Sequence, residues 1–454
     1  MVKFTTNWLT TIFPNYKGKA LDSINIYEVF TDSRKKAKFS LFVPIVGENF
    51  DAHDYLKDAI NMGAVASLWQ KDKEIPRFLP TDFPLFFVED TIVAMQQLAM
   101  AYREHVDPKV IGITGSNGKT TTKDFFAKVF ETTYKTEKTK GNFNNHIGLP
   151  LTILSMEPNT EVLILEMGMN HFGEIETLSN IAKPDIAVIT NIGESHIEYL
   201  GSREGIAKAK SEITSGLKEN GKLIIDGDER LLQILVNKYD TVRIGFNKEN
   251  DVVIENVGVN NDGTVFTIED QSFEVPLLGR HQAKNAAFAI IAARFFGLDD
   301  NQIRDGLKNV ELTGMRFEKI ETKEGAILIN DAYNASATSM KASIEVVKEM
   351  NANRKVLILG DILELGEHSK SFHRSIAEVI TPPIHAVYTY GVESEEILKE
   401  LKKRDSTIQT FAFQSKEKLT KELRKELKAD TLLLFKASRG MKLESIIEQL
   451  SSGE

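Results

Sequence analysis

The chain contains no cysteine, which excludes disulfide bonds and thiolate metal sites. It also lacks any apolar stretch near the ~18 residues that a membrane-spanning helix needs, and it does not begin with the pattern of a secretory signal. Basic residues are outnumbered, 56 against 65 acidic ones, and the net charge of -9 argues against a broad surface for nucleic acid or anionic membrane. We therefore expect a cytoplasmic protein with no nucleic-acid partner and no membrane insertion.

What is present is enough apolar sequence for several domains. With 454 residues and 42% hydrophobic content, the chain can form about three domains of ~100–200 residues each. A short "DPK" linker begins at Asp107, and the pattern of strands and helices starts again after about Glu311. The predicted domains are residues 1–106, 107–312 and 313–454.

Continuous apolar runs indicate the fold class. "KVIGITG", "EVLILEMG" and "DIAVITNIG" in the central block each end in glycine or polar residues. Runs of this kind are typical of parallel strands buried on both faces by helices. The third block repeats the pattern in "AILINDAYNAS", "KVLILGDILELG", "HAVYTYG" and "TLLLFKASRG". The sequence therefore predicts an α/β protein of three domains: a small N-terminal α/β domain, a central parallel sheet of the phosphate-loop ATPase type and a C-terminal Rossmann-like sheet.

The stretch "IGITGSNGKTTTK" from Ile111 to Lys123 predicts a phosphate-binding loop. Small residues let backbone N–H groups approach phosphate oxygens, a lysine adds a cation, and a threonine hydroxyl can bind Mg²⁺. The strict spacing of such loops is not met, because Ile113 stands where the first glycine would be. An ordinary glycine-rich turn is the alternative, but it does not need Lys-Thr at the start of a helix. The candidate residues are Gly115, Ser116, Asn117, Gly118, Lys119, Thr120 and Thr121.

Three further residues of the central block are candidates for metal chemistry. Glu166 ends an apolar run beside the loop and is either a Mg²⁺ ligand or a solvated strand-end carboxylate. His196 follows the next run and is either a metal ligand or a loop hydrogen-bonding group. Lys210 falls about 40° from Ile206 on a helix, inside its apolar stripe, whereas Lys208 is on the opposite face. Lys210 therefore either extends its amine out to solvent or is chemically employed with a shifted pKa.

Residues that follow apolar runs in the outer blocks complete the candidate set, because ligands of such sheets bind at the carboxyl ends of the strands. In the third block they are Asn334, Asp361, Lys436 and Arg439; in the first block Ser33 and Arg34 instead precede a predicted strand, and the alternative for Arg34 is a solvated loop residue.

The order of motifs along the chain resembles the Mur ligase family over nearly the whole length. The motifs are TGSNGKTTTK, TKGNFNNHIGLPLTIL, LEMGMNHFGEI, TNIGESHIEYLGS, AKAKSEI, LLGRHQAKNAAFAI, DAYNASATSM, LGDILELG and KASRGMKLE. The resemblance implies an ATP-dependent ligase that forms an amide bond through an acyl phosphate and releases ADP and phosphate in cytoplasmic peptidoglycan synthesis.

Within the family, the motifs look most like those of the ligase whose substrates are UDP-N-acetylmuramoyl-tripeptide and D-alanyl-D-alanine, and a monomer is expected. The sister ligase that adds the third amino acid typically has "YAHTPD"-like and "DNPR"-like motifs, whereas this chain has "DAYNAS" and no "DNPR". That sister ligase and a folylpolyglutamate synthetase are the alternative enzymes. A nucleotide-dependent switch is the alternative from another class.

The resemblance also implies roles for single residues. Lys119 and Thr120 would bind ATP phosphates and Mg²⁺, Glu166 and His196 would hold metal, and Lys210 would be carbamylated. The nucleotide site would further include Asn285 near the adenine. On the side of the hinge (residues 314–317) and the third domain it would include Arg316, Asp331 and Asn334. The substrate-binding candidates, of which the first two belong to the uridine end, are Ser33, Arg34, Asn145, Asp361, Lys436 and Arg439.

Two positions depart from the family pattern. The usual "YNANP" is "YNASA" here, and His146 replaces the glutamate common after "NN". The reaction class is unaffected, whereas fine substrate contacts are expected to differ.

Replacing Lys119 with alanine should reduce ATP turnover by orders of magnitude while the protein still melts cooperatively, because this lysine is expected to serve the phosphates and not the core. ADP release and a thermal melt of the same preparation check both parts. A variant that fails to fold would favour the ordinary glycine-rich turn.

Overall fold

The structure, a computed structural model, describes residues 1–260, 263–311, 313–404 and 407–452. It confirms a three-domain α/β fold in which each domain has its own parallel-rich sheet. The predicted boundary at residue 312 falls on Leu312, which lies outside the described residues, and the exact boundaries stay a prediction. Within the described ranges, every helix is too short or too polar to cross a bilayer.

The N-terminal domain contains a five-stranded sheet of order β2-β7-β6-β5-β4, parallel except for the β2–β7 pair, and a two-stranded β1–β3 ribbon. Its strands are β1 Phe4–Thr5, β2 Tyr16–Lys17, β3 Asn25–Ile26, β4 Glu28–Phe30, β5 Ser40–Phe42, β6 Ala64–Gln70 and β7 Leu85–Val88. Its helices are α1 Thr6–Ile12, α2 Leu56–Met62 and α3 Thr91–Val106.

The N-terminal domain packs on the central one through its last helix and its first strand. The Tyr102 hydroxyl on α3 donates to the Met156 carbonyl at 3.0 Å, and the Lys3 amine donates to the Ser155 carbonyl at 2.8 Å. Helix α3 ends at Asp107, which has φ 52, just where the sequence predicts a linker.

The central domain contains a nine-stranded sheet of order β16-β15-β14-β13-β12-β11-β8-β10-β9. Its strands are β8 Lys109–Thr114, β9 Thr136–Lys138, β10 Val162–Glu166, β11 Ile186–Ile189, β12 Lys222–Asp226, β13 Thr241–Gly245, β14 Val252–Val259, β15 Thr264–Ile268 and β16 Gln271–Val275. Its helices are α4 Lys119–Glu131, α5 Gly148–Ser155, α6 Glu174–Ala182, α7 Ile197–Leu200, α8 Arg203–Ser211, α9 Arg280–Phe295 and α10 Asp300–Lys308.

The three apolar runs singled out in the central block are neighbouring parallel strands, as predicted. Strand β8 lies between β10 and β11, and both pairs are parallel. All five residues of β10 and all four of β11 are buried, because helices cover both faces of this part of the sheet. Strands β14 to β16 pair antiparallel at one edge, where buried and exposed side chains alternate. The carboxyl ends of β8, β10 and β11 therefore meet at one edge of the sheet.

The C-terminal domain contains a six-stranded sheet of order β17-β18-β22-β19-β20-β21, parallel except for the β17–β18 pair. Its strands are β17 Glu318–Glu321, β18 Ile327–Asn330, β19 Arg354–Gly360, β20 Ala386–Tyr390, β21 Gln409–Phe413 and β22 Thr431–Lys436. Its helices are α11 Ala337–Glu349, α12 Ser369–Ile376, α13 Glu395–Lys403, α14 Lys416–Leu423 and α15 Glu444–Ser451.

The segment that enters the C-terminal domain is anchored to α4 of the central domain. The backbone N–H and the hydroxyl of Thr313 donate to the buried Asp124 carboxylate at 3.0 and 2.9 Å. Met315 and Phe317 then adopt φ values of 60 and 56, in the left-handed region that few residues with a side chain adopt. The stretch predicted as a hinge is thus a sharply bent segment with a fixed start.

Replacing Gly63 with alanine should destabilise the fold more than the same change at Gly297. Both glycines follow a helix and have positive φ, at 118 and 83, which costs about 1–2 kcal/mol for any side chain. A Cβ on Gly63 would also lie 1.8 Å from the Ala37 carbonyl oxygen, whereas nothing lies within 4 Å at Gly297. Overpacking of that kind adds about 1–3 kcal/mol.

Urea unfolding followed by far-UV circular dichroism measures both losses. Equal losses for Gly63→Ala and Gly297→Ala would mean that the backbone at Ala37 relaxes without cost.

Candidate active site

The predicted phosphate loop connects β8 to α4, and its two glycines are required by their surroundings. Gly115 has φ 149, and a Cβ there would lie 1.9 Å from the Thr190 hydroxyl oxygen. Gly118 has φ 80, and a Cβ there would lie 2.7 Å from the Asn285 side-chain oxygen. Larger residues at these positions would push the loop away from β11 and α9.

The residues that follow β11 hold this loop in place. The backbone N–H of Asn117 donates to the Asn191 side-chain oxygen at 2.9 Å, and that of Ser116 donates to the Asn191 carbonyl at 3.1 Å. The Thr190 hydroxyl donates to the Asn117 carbonyl at 2.7 Å. The loop is therefore fixed before any ligand binds, which reduces the entropy that binding must remove.

Lys119 begins α4 and lies in the cradle of the loop. Its amine donates to the Gly115 carbonyl at 2.7 Å. Burial lowers the pKa of Lys119, the positive charge of Arg316 lowers it further, and the Glu166 carboxylate opposes both effects. The residue as a whole is half-buried.

Glu166 is the carboxylate around which this site is arranged. Its Oε2 accepts from the Thr120 hydroxyl at 2.8 Å and its Oε1 from the Asn144 amide at 2.9 Å. Arg316, from the segment that enters the C-terminal domain, donates to the same Thr120 hydroxyl at 2.8 Å. The structure thus brings together three predicted site residues, Thr120, Glu166 and Arg316.

Buried donors without a partner point to an anion in the cleft. The Ser116 hydroxyl, the Asn117 amide nitrogen and the Arg316 Nε are buried and find no hydrogen-bond partner among the described residues. Unsatisfied buried donors are costly, typically ~1–3 kcal/mol each, and native proteins rarely keep them without a reason. Three of them around one glycine-rich loop at a helix N-terminus are what a bound phosphate chain would satisfy.

The donors for a metal ion at this edge are oxygens. Within the described ranges, no three His, Cys, Asp or Glu side chains form a cluster that could hold a metal ion by themselves. The Thr120 hydroxyl and the Glu166 carboxylate are nevertheless buried, adjacent and of the hard oxygen type that Mg²⁺ prefers. These two residues fit Mg²⁺ that completes its coordination with water and substrate oxygens.

Lys210 lies on the buried face of α8, as the periodicity predicts. Its exposed fraction is 2%, whereas Lys208 is exposed, 5.6 Å from the ring centre of Phe172. Burial lowers the pKa of the Lys210 amine well below its ordinary value, and the positive charge of Lys119 lowers it further. The buried amine does not extend out to solvent, and a chemical role for Lys210 stays a prediction.

His196 lies at the interface with the C-terminal domain, just before α7. Its Nδ1 is 2.6 Å from Oε2 of Glu364, a close contact whose angles fall short of a regular hydrogen bond. The role of His196 as a metal ligand stays a prediction.

The predicted site residues of the C-terminal domain lie in two places, around the ring of Tyr333 and in an ion pair. The guanidinium groups of Arg316 and Arg439 lie 4.3 and 5.8 Å from the ring centre of Tyr333. The Lys436 amine is 2.6 Å from the Asp331 carboxylate.

The C-terminal domain also touches the phosphate loop directly. The Ser336 hydroxyl donates to the Asn117 side-chain oxygen at 3.0 Å. Of the neighbouring candidates, Asn334 is exposed close to this contact, and Asn285 packs against the loop on α9. Thr121 is buried in the first turn of α4.

Other candidates are engaged elsewhere. Both carboxylate oxygens of Asp361 accept from backbone N–H groups, those of Val392 and Ser394, so this side chain orders the loop after β20. Asn145 accepts from the backbone at the start of α5.

Two further candidates lie in the N-terminal domain. Arg34 pairs with Asp32 and is 87% exposed, and Ser33 lies beside it. For Ser33, Arg34, Asn145 and Asp361 a substrate role stays a prediction.

Several residues of the site were missed by sequence reasoning. Asn144 holds Glu166 and Thr190 holds the loop; Thr190 had a signal in its place directly after an apolar run, whereas Asn144 had none of this kind. Asn191 also holds the loop, and the stretch from Asn191 to His196 was expected at this edge of the sheet. Glu364 acts across the domain interface and Tyr333 contacts Arg316 within the C-terminal domain, and nothing local in the sequence marks either contact.

Comparison with known proteins places this geometry in a family. A model of the Mur ligase middle domain matches residues 113–293, and one of the Mur ligase, glutamate ligase domain matches residues 315–439. The chain is 47% identical over 431 residues to the UDP-N-acetylmuramoyl-tripeptide--D-alanyl-D-alanine ligase of Bacillus subtilis, covering 94% of this chain and 93% of that one. The chain belongs to the Mur ligase family.

Solved structures of Mur ligases agree over the full chain. MurF from Acinetobacter baumannii superposes with a TM-score of 0.86 at 26% identity, covering 99% of each chain. The MurF ligase from Thermotoga maritima in complex with ADP superposes with a TM-score of 0.81 at 30% identity, covering 94% of this chain and 97% of that one. The resemblance read from the motifs is therefore confirmed at the level of family and fold.

Proposed function

We propose that this Mur ligase joins D-alanyl-D-alanine to UDP-N-acetylmuramoyl-tripeptide with cleavage of ATP to ADP and phosphate. The observation that carries the proposal is the phosphate loop with its buried, unpartnered donors from both the central domain and Arg316. Because both domains contribute donors to this loop, a nucleotide bound there would lie in the cleft between them, where a second molecule can react with it. The choice of substrates rests on the curated relative that is 47% identical over 94% of the chain.

The first half of the reaction activates a carboxylate. Its oxygen attacks the γ-phosphorus of ATP, the bond to the β–γ bridging oxygen breaks, and ADP leaves with the electron pair. Negative charge accumulates where three anionic groups meet, so the chain must supply positive charge and fixed donors. Lys119 and Arg316 would neutralise the phosphate oxygens, and the loop N–H groups would orient them.

Mg²⁺, held by Thr120 and Glu166, would supply further charge neutralisation at the phosphates.

The second half forms the amide bond. The amine of D-alanyl-D-alanine, after losing a proton, attacks the acyl carbon, and a tetrahedral intermediate expels phosphate. Water would destroy the acyl phosphate, so the cleft must be closed while it exists. The contacts of Ser336 with Asn117 and of Arg316 with Thr120 join the two domains and would help to keep the cleft closed. No side chain is needed as a nucleophile.

We also propose that Lys210 is carbamylated. A neutral amine adds CO₂ and releases a proton, and the burial of Lys210, helped by the charge of Lys119, favours the neutral form of its amine. The product would be a carboxylate-like group beside Lys119. Such an oxygen ligand could hold a second metal ion together with Glu166 and His196.

The enzyme would act as a monomer in the cytoplasm, where ATP and nucleotide-linked precursors are available.

Release of ADP should require both UDP-N-acetylmuramoyl-tripeptide and D-alanyl-D-alanine, because the acyl phosphate accumulates without an amine and no carboxylate is activated without the tripeptide. A coupled assay with each substrate omitted in turn measures this. Steady release with either one missing would refute the assignment and favour a nucleotide switch. Activity with a diamino acid or glutamate in place of D-alanyl-D-alanine would favour a sister ligase.

Replacing Lys210 with alanine should leave a folded but almost inactive enzyme, because it removes the proposed carbamate. Acetate that enters the vacated space should restore part of the activity. Lys208→Ala is the control, since that lysine is on the exposed face of the same helix and should neither lose activity nor respond to acetate. Steady-state assays over an acetate titration test this, and full activity of Lys210→Ala would rule out the carbamate.

A further inference from the structure

A loop of the C-terminal domain docks onto the turn that contains His196. Besides the 2.6 Å contact between His196 Nδ1 and Glu364 Oε2, the backbone N–H of Glu198 donates to the Glu364 carbonyl at 3.2 Å. Two residues on, a Cβ added to Gly366 would lie 3.3 Å from the Glu198 side chain. The turn at His196 and the loop at Glu364 are therefore joined by a side-chain contact, by a backbone hydrogen bond and by close packing.

Both residues of the ion pair have a strained backbone. His196 has φ 65 and Glu364 has φ 63, and neither is glycine. A residue with a side chain in this region costs about 1–2 kcal/mol relative to an ordinary conformation. Strained residues of this kind persist where the surrounding structure requires them, and they cluster at functional sites.

The ion pair is too weak to account for that cost by stability alone. The side chains of His196 and Glu364 are 21% and 40% exposed, and an exposed pair contributes about 0–1 kcal/mol. Two residues in the left-handed region therefore destabilise the fold by more than the His196–Glu364 pair stabilises it. What the arrangement does provide is a carboxylate 2.6 Å from Nδ1 of the imidazole, which leaves Nε2 as the ring nitrogen that a ligand could bind.

We propose that Glu364 is a positioning residue, which fixes the ring of His196 through Nδ1 when the C-terminal domain closes and so presents Nε2 to the active site. The inference rests on the proposed function, in which His196 serves the metal side of that site. Carboxylates that hold the far nitrogen of a ligating histidine act in this way, and their loss typically costs 10–100-fold in metal affinity or activity. Here the carboxylate would arrive from another domain, so the ring is oriented only in the closed state.

The test compares Glu364→Gln with Glu367→Gln. Glu367 is exposed in the next turn of the same loop, and its substitution should change nothing. Glu364→Gln should raise the Mg²⁺ concentration for half-maximal activity by about 10–100-fold. The KM for the tripeptide nucleotide should stay unchanged, because the N-terminal domain is not altered. An unchanged Mg²⁺ requirement in Glu364→Gln would overturn the proposal.

A second readout needs neither metal nor substrates. In Mg²⁺-free protein labelled with ¹⁵N-histidine, the wild type should show His196 with its proton fixed on Nδ1, and Glu364→Gln should lose that preference; a His196→Gln variant assigns the signal. The same tautomer preference in both proteins would overturn the proposal even if activity fell.

Domain closure can be followed separately because the chain has no cysteine to remove. Dyes on Lys238→Cys and Lys402→Cys, both exposed, report the distance between the central and C-terminal domains. We expect Glu364→Gln to lower the closed population. A loss of closure with an unaltered tautomer and Mg²⁺ requirement would make Glu364 a docking residue only, against the proposal. A wild-type chain without ligase activity would instead refute the proposed function, while the tautomer measurement would still stand.

Discussion

Positive charge gathered around one buried carboxylate dominates the site. Lys119 and Arg316 carry positive charge at the phosphate loop, the Lys210 amine lies near Lys119, and Glu166 is the acid that faces them. Near the loop there is thus more positive than negative charge in a partly desolvated space, where charges interact strongly. Burial lowers the pKa values of Lys119 and Lys210, and the charge of Arg316 on the one and of Lys119 on the other lowers them further. Binding a polyanion relieves this imbalance, which gives the cleft a preference for a phosphate chain.

A neighbouring group of charges is balanced and serves another purpose. Burial alone would raise the pKa of Asp124, but Lys123 and Lys138 lower it, and Thr313 adds two hydrogen bonds. The Asp124 carboxylate is therefore an anion that neighbouring lysines neutralise and that Thr313 hydrogen-bonds. Since Asp124 and Thr120 lie on the same helix, α4 holds both the start of the hinge segment and the proposed metal ligand. The geometry of the phosphate site and the position of the C-terminal domain are thus fixed by one element.

The features that the sequence could predict are those that depend on residues close together in the sequence. The apolar runs before Gly115 and Gly168 predicted parallel strands correctly, because strands buried on both faces need apolar residues at every position. The helical period placed Lys210 on the buried face for an equally local reason. The antiparallel edge strands β14 to β16 were not predicted, since half of their side chains face solvent and the pattern is weaker.

The pairing of His196 with Glu364 could not be read from either segment, because it exists only once two domains meet. Asp361 appeared as a free candidate because the backbone N–H groups that its carboxylate accepts from, in the loop after β20 of the same domain, are about 30 residues away in the sequence. Residues whose partners are near in sequence were thus predictable. Residues whose partners lie on a distant strand or in another domain were not.

The Thr120 hydroxyl shows how the empty and loaded forms of the site must differ. It donates its only proton to Glu166 and accepts from Arg316, so its interactions are already satisfied within the protein. A cation bound by this oxygen would repel the guanidinium, and the negative phosphates would offer an acceptor to its buried Nε, which has none now. Arg316 belongs to the segment that leads into the C-terminal domain. Binding of nucleotide and metal at α4 would therefore act directly on the position of that domain and couple phosphate binding to the closure that an acyl phosphate requires.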